Sequence, residues 1–220
     1  MWCIPNLTPL FRERMDDILK LYTETLPEGE EVHNFDETPK QLLGTPHGTR
    51  KMTTEHAKRI DHEYKRYGVR NIFVALSPFK GNRIVLVTER RTTKDTADFL
   101  WNYCMESHKN VKHIHLVLDN LNTHKETALL KIWGEVKLKE FKKHVTLHYT
   151  PCHASWLNMA ELEINALKTQ GLKGRISTQG KLQKLAEQIV AERNGRCAKI
   201  NWGFTKEKAQ IKFPTLYSMN

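Results

Sequence analysis

The chain has 220 residues, 39% hydrophobic and 27% charged, which suits one soluble globular domain with short appendages. No apolar run approaches the roughly 20 residues that span a bilayer, and Met1–Pro5 shows no basic stretch leading into a long apolar one, so a membrane span and a secretory leader are both excluded from the reading. The net charge of +10, with eleven histidines besides, points to a polyanionic partner, nucleic acid first.

Residues 9–23 have helical spacing in Leu10, Phe11, Met15, Ile18, Leu19 and Tyr22, with Thr8 as a cap and Pro9 in the first turn. The stretch Pro27-Glu28-Gly29-Glu30 breaks the pattern. A short strand follows over residues 32–36, ending at Asp36. Residues 38–68 are polar and basic and contain Gly44, Pro46 and Gly48, so they read as a long loop. Two nearly continuous apolar runs, 72–76 and 84–88, predict a hairpin of strands buried on both faces.

Thr92 and Asp95 have capping-box spacing before a helix with the stripe Ala97, Leu100, Trp101 and Cys104. A strand over 114–118 ends at Asp119, and Thr123 with Glu126 predicts a second capping box before a helix carrying Leu129, Leu130 and Trp133. A fifth strand spans 145–149 and closes at Pro151. Ser155 is placed to cap a helix over 156–170 that stops at Gly171, and a last long helix with Leu182, Leu185, Ile189 and Val190 stops at Asn194-Gly195. The order β-β-β-α-β-α-β-α-α predicts an α/β protein: a five-stranded mixed sheet, helices on both faces, in the order of the RNase H-like fold. The expected division is an N-terminal helical segment over 1–30, the sheet domain over 31–195, and an extension packed on it over 196–220.

Cys3, Cys104, Cys152 and Cys197 form no C-x-x-C pair, so free thiols in a reducing cytoplasm are expected. Cys152-His153 supplies only two of the ligands a zinc site needs, and His113 with His115 lacks a third partner.

Asp36 and Asp119 each end a strand. If those strands are parallel neighbours, both carboxylates emerge at the sheet edge where open α/β sheets bind ligands. A third acid comes from the 156–170 helix, where Glu161 and Glu163 flank the core stripe Leu157, Ala160, Ile164 and Leu167 on opposite sides; helical phase leaves the two tied. Three gathered carboxylates repel each other, and divalent cations remove that cost. Mg²⁺ takes hard oxygen ligands, and a pair of ions serves in-line attack on a phosphodiester without a covalent intermediate.

Three segments carry a resemblance: Phe35-Asp36-Glu37-Thr38-Pro39-Lys40-Gln41-Leu42-Leu43, Val117-Leu118-Asp119-Asn120-Leu121-Asn122-Thr123-His124, and Tyr149-Thr150-Pro151-Cys152-His153-Ala154-Ser155-Trp156-Leu157-Asn158-Met159-Ala160-Glu161. With Glu63–Arg66 and Val87–Thr92, they resemble bacterial insertion-sequence transposases of the mariner superfamily, from Trp2 to Tyr217. The resemblance implies a catalytic triad of Asp36, Asp119 and Glu161, the last chosen over Glu163 because it lies three residues after the Asn of Trp-Leu-Asn. It implies two Mg²⁺ ions, replaceable by Mn²⁺, cleavage of transposon-end DNA and strand transfer into a target. Thr38 and Cys152 depart from the basic residues common at those positions.

Lys40, Arg90, Arg91, Lys94, His124, His153 and Trp156 are expected DNA contacts, although Asn120 and His124 equally fit a helix start and Trp156 a partly buried anchor. Glu37, next to Asp36, should point the other way on an alternating strand. The expected partners are double-stranded DNA and a second copy of the chain, in a bacterial, nucleoid-associated setting with no membrane. Relatives carry N-terminal helix-turn-helix modules, so this chain reads as the chemical half, with weak specific binding of terminal repeats alone. A nuclease without strand transfer and a decayed DNA-binding remnant remain open alternatives.

Overall fold

The computed structural model describes residues 7–50, 52–57, 59–60 and 62–218, so the readings at Met1–Pro5 and Cys3 lie outside the described residues. Helix α1, Pro9–Thr23, starts where the sequence places it: the Thr8 hydroxyl accepts from the Phe11 amide, and Pro9 occupies the first turn. Five strands build the central sheet: β1 (Glu30–Gly44), β2 (Lys65–Ser77), β3 (Asn82–Thr88), β4 (His113–Leu118) and β5 (Val145–Tyr149), in spatial order β3-β2-β1-β4-β5. The β1-β2 and β2-β3 pairs are antiparallel, and the β1-β4 and β4-β5 pairs are parallel. This is the mixed sheet expected from the chain order, with three meandering strands and two that arrive through helical crossovers.

Two strands are far longer than expected: β2 runs for 13 residues rather than five, and β1 is longer still. β1 runs for 15 residues rather than five, and it pairs with β2 out to Gly44↔Lys65. Much of the predicted 38–68 loop is therefore a projecting ribbon, and Thr49–Arg50 pairs with Arg59–Ile60 nearer its tip. Two features hide the strand in the sequence. The ribbon lacks a buried face over much of its length, so its residues do not alternate, and Pro39 argues against a strand interior. The structure removes that objection, because β4 pairs with β1 only over Glu30–Asn34. Exposed Pro39 therefore lies on an open edge, where its missing N–H costs no ladder bond.

The two faces bury separate cores. Helices α2 (Thr93–Trp101) and α3 (Glu126–His144) cover one face, packing Phe99, Leu100, Leu129 and Phe141 on Phe35, Phe73 and Leu116. On the other face, α1 meets the C-terminal helices α6 (Lys206–Lys212) and α7 (Pro214–Tyr217) around Met15, Leu19, Val32 and Leu216. Beside them α4 (Ala160–Leu167) and α5 (Gln179–Gly195) pack Ile164, Leu182 and Ile189 on Ile72, Val74 and Val85.

Helix starts divide by whether the cap forms. The Thr92–Asp95 box is present with both reciprocal bonds. The Thr123–Glu126 box is not: α3 begins after Lys125 with no side-chain cap, because the loop before it is organised by Asp119 and His124 instead. The predicted 156–170 helix is also broken. Ser155–Leu157 forms a 3₁₀ turn, Asn158 is extended (φ −82°, ψ 112°), and α4 starts only at Ala160. Gly81 turns the β2-β3 hairpin at φ +80°, and a Cβ there would meet the Cys197 backbone at 2.5 Å, so both conformation and space require glycine.

Candidate active site

Residues Glu30–Asn34 of β1 pair with His113–Val117 of β4 in parallel. Carried two residues further, the same register sets Asp36 opposite Asp119. Both acids thus leave the same carboxyl edge, as the sequence argument required. Strand alternation then separates Asp36 from its neighbours. Phe35 packs into the α2-α3 core, and the Glu37 carboxylate reaches His124 beside that core, while Asp36 faces the cleft carrying α4, which Glu37 also borders.

Helix α4 carries the two candidates for a third acid, and burial separates them where helical phase leaves them tied. Glu163 is fully buried and ion-paired: Arg193 donates to its two oxygens at 2.7 and 2.8 Å, and Arg83 Nε lies 3.1 Å from Oε1. Glu161 is half-buried and lines a cleft of about 250 Å³ with Asp36, Glu37, Thr38, Ile164, Asn165 and Lys168. Asp119 is not among the lining residues, but its charge reaches Asp36.

Asn158 ties α4 to β1. Its amide donates to the Phe35 carbonyl at 2.7 Å, and its side-chain oxygen accepts from Asn34 Nδ2 at 3.0 Å and from the Ala160 amide at 3.1 Å. Asn34 also donates to the Tyr22 hydroxyl, which donates to the Leu157 carbonyl. These buried polar groups fix the start of α4, and hence Glu161, against the strand that carries Asp36. In the sequence Asn158 is only a motif marker, and no periodicity reveals its tether. Asn165 and Lys168 were overlooked, though their signal was available: they lie four and seven residues after Glu161, on the same helical face.

Burial, and then the charge of Asp119, raises the Asp36 carboxyl from its ordinary 3.8 to about 7; Glu37 and Glu161 add to the rise, and a hydrogen bond from the Glu37 amide at 2.8 Å opposes it. His124 is organised differently. Its Nδ1 lies 2.5 Å from Asp119 Oδ1 and its Nε2 lies 3.0 Å from Glu37 Oε2. Burial alone lowers its affinity for a proton, but the bonds to Asp119 and Glu37 win and raise it to about 9. A carboxylate beside each ring nitrogen favours the ring form in which both nitrogens donate.

The arrangement suits a hard divalent cation in its donor chemistry: carboxylate oxygens are the preferred ligands, and positive charge would relieve the repulsion at Asp36. It is not a closed cage. Among the described residues, no three acidic, histidine or cysteine side chains converge so as to enclose an ion. One or two carboxylates, completed by water and substrate phosphate, are the usual protein share of a Mg²⁺ site.

The expected DNA contacts fall into three groups. Arg90, Arg91 and Lys94 follow β3, which runs parallel to β1 through two antiparallel pairings, so they leave the sheet at the edge that carries Asp36. Arg90 and Lys94 are exposed, and Arg91 Nη1 lies 3.5 Å from Glu37 Oε1. Exposed His153 and Trp156 follow β5 at that same edge; His153 has φ +61°, and Trp156 packs edge-on to Phe204. Half-buried Lys40 donates to the Gly174 carbonyl at 3.0 Å, and burial followed by the charge of Lys168 makes it easier to deprotonate. His124 requires correction. It is fully buried with both ring nitrogens against carboxylates, so it has no face for DNA. The departure at Thr38 is also accommodated: Thr38 lines the cleft, and Lys168 supplies a cation in the same wall.

Among the described residues, no helix is long and apolar enough to cross a membrane. The sequence model of the family described as DDE superfamily endonuclease matches residues 31–183, which include all three acids. No curated protein sequence matches the chain. Among solved structures, the Mos1 strand transfer complex is similar at 11% identity and a TM-score of 0.53, over 90% of this chain and 63% of that one. The Mos1 mariner paired end complex with Mn gives 10% identity and 0.48, over 90% and 64%; the catalytic domain of Mos1 mariner transposase gives 11% and 0.47, over 89% and 96%. The chain therefore spans less than two thirds of the first of these, and the likeness shows the fold: a five-stranded mixed sheet of RNase H-like type.

Proposed function

The chain belongs to the DDE superfamily endonuclease family, and from that premise we propose that it is the catalytic part of a transposase of the mariner superfamily, of bacterial insertion-sequence type. Its substrate is double-stranded DNA, cut at transposon ends and joined to a target. Asp36, Asp119 and Glu161 are the catalytic acids. Two divalent ions, Mg²⁺ or Mn²⁺, are held by those carboxylates, and when bound they supply the activated attacking oxygen and the neutralised leaving oxygen of an in-line displacement. The sheet domain over 31–195 carries the chemistry, with the flanking segments packed on it. Two copies work on paired ends.

The observation that carries this reading is the meeting of Asp36 and Glu161 in one cleft at the sheet edge where the β1-β4 register also brings Asp119. Asp36 is buried, and Asp119, Glu37 and Glu161 all act to raise its carboxyl, which makes it a poor structural element and a good ion ligand. The surrounding residues then have separate tasks. Lys168 faces the cleft where a phosphate would enter, and Arg90, Arg91 and Lys94 follow the DNA backbone from the same edge. The Asn158 tether holds Glu161 at its distance from the aspartates. Trp156 offers a partly exposed ring for stacking on a base at a distorted end.

The test incubates the chain with supercoiled plasmid and labelled linear duplexes, with and without Mg²⁺ or Mn²⁺. Nicked and joined products that require the ion and vanish in Asp119→Asn are expected. Nicking without joining would reduce the protein to a nuclease of this fold. Neither product from a folded chain would leave only DNA binding. Wild-type activity in Asp119→Asn would show that the acids are misassigned.

A further inference from the structure

In the line Arg91–Glu37–His124–Asp119, Glu37 and His124 have no part in the proposed chemistry, yet the line ends on one of the proposed ligands. Its interior is buried. His124 is fully buried, the Glu37 side chain is 2% exposed, and only Arg91 and Asp119 reach solvent, at 55% and 21%. Such a buried ionic line is a weak source of stability, because apolar residues of similar volume would pack there as well. It does not serve to cap α3 either, since that helix starts at Glu126 without a side-chain cap. What it does is geometric. Among the described residues, the hydrogen bonds to Asp119 fall on Oδ1, from His124 Nδ1 at 2.5 Å and from the Leu121 amide at 3.3 Å. Oδ1 is thereby fixed in direction, and Oδ2 is left to take another partner.

His124 is itself held on every side. Its ring lies edge-on to Phe35 at 5.2 Å, its carbonyl accepts from the Tyr149 hydroxyl at 3.1 Å, and Glu37 takes its second nitrogen. The alternation of β1 makes this possible. Asp36 enters the cleft from one face of the strand, and the next residue reaches around the sheet end from the other face to control the second aspartate. A histidine between two carboxylates, presenting one of them to a metal, is the outer-shell arrangement that fixes ligand orientation in metal sites, here with the ligand order reversed.

We propose that Glu37 and His124 are positioning residues for ion binding and cleavage: Glu37 orients the His124 ring, and His124 locks Asp119 with one oxygen free for a divalent ion. This rests on Asp119 being an ion ligand. The test measures Mn²⁺ affinity by electron paramagnetic resonance, together with kcat and KM for nicking, in the wild type, His124→Ala, His124→Asn and Glu37→Gln, with circular dichroism as the fold control. Asn places an amide where Nδ1 lies, so it can still hold Asp119. His124→Ala should lose about 10- to 100-fold in Mn²⁺ affinity and in kcat, with KM for DNA unchanged. His124→Asn should recover part of both, and Glu37→Gln should show a smaller loss in the same direction. Wild-type Mn²⁺ affinity in folded His124→Ala, or in Glu37→Gln should the alanine variant not fold, overturns the proposal; so does an Asn variant no better than Ala. A wild-type chain that neither binds Mn²⁺ nor nicks DNA would instead sink the reading of the triad.

Discussion

Two acids two residues apart on α4 meet opposite electrostatic fates. Glu163 is buried against Arg83 and Arg193, with its charge answered in full by guanidinium groups. Glu161 faces a cleft where its nearest charged company includes Asp36, whose carboxyl is raised to about 7 by burial and by other acids. The difference teaches how to sort buried charge. Answered charge marks a place where the fold holds itself together, and unanswered charge of one sign marks a place prepared for something not yet bound.

Breaking the answered side should have the largest effect on stability. Glu163→Ala leaves Arg83 buried without its partner, and a loss of about 3–5 kcal/mol is expected, or roughly 10 °C in melting temperature for a chain this size. Thermal unfolding followed by circular dichroism measures it. A loss no greater than that of a surface substitution would erase the contrast with Glu161.

The unanswered side should respond with the opposite sign. A carboxyl whose folded value is raised from 3.8 to about 7 costs nothing below about pH 4, costs more as pH climbs between those values, and costs its full amount above them. Asp36→Asn removes the ionisable group. It should stabilise the metal-free protein by about 2–4 kcal/mol at pH 8 and by almost nothing at pH 3.5, while abolishing ion-dependent nicking. Melting curves at the two pH values check this, and a gain equal at both would show that desolvation and repulsion are not the cause.

Asn158→Ala sharpens the comparison by loosening the link between the two sides. It removes bonds to Phe35 and Asn34, so a loss of about 1–3 kcal/mol is expected. Nicking should fall further than stability alone explains, because Glu161 loses its fixed distance from Asp36; kcat measured well below the melting temperature tests that. The smallest stability effect belongs to Glu161→Gln, within about 0.5 kcal/mol, although nicking should disappear. A large destabilisation there would make Glu161 a structural residue like Glu163.

The legible and illegible parts of the chain divide along physical lines. Strands β3, β4 and β5 and the buried half of β2 were readable because burial on one or both faces leaves apolar residues in runs or alternation, and α1 and α2 because their caps and stripes are local. The ribbon half of β1 was unreadable: hydrogen bonding to β2, not side-chain burial, makes it a strand, and hydrogen bonding leaves no mark on residue type. The break at Asn158 was hidden for the same reason, since its tether is to residues more than 120 positions away. Asp36 and Asp119 followed from strand ends. The preference for Glu161 came from a motif and not from phase, and the burial of Glu163 now supplies an independent physical reason. His124 illustrates the limit of reading by residue type: a histidine beside an acidic motif looks like a DNA contact, and only the fold shows that it is enclosed.

The most direct test of the central claim is a crystal of this chain soaked in Mn²⁺ and measured for anomalous scattering. The account predicts a peak in contact with Asp36 and at least one of Asp119 and Glu161, with Glu163 still bound to its arginines. A peak held elsewhere, or a fully occupied Mn²⁺ site that none of the three acids touches, would contradict it.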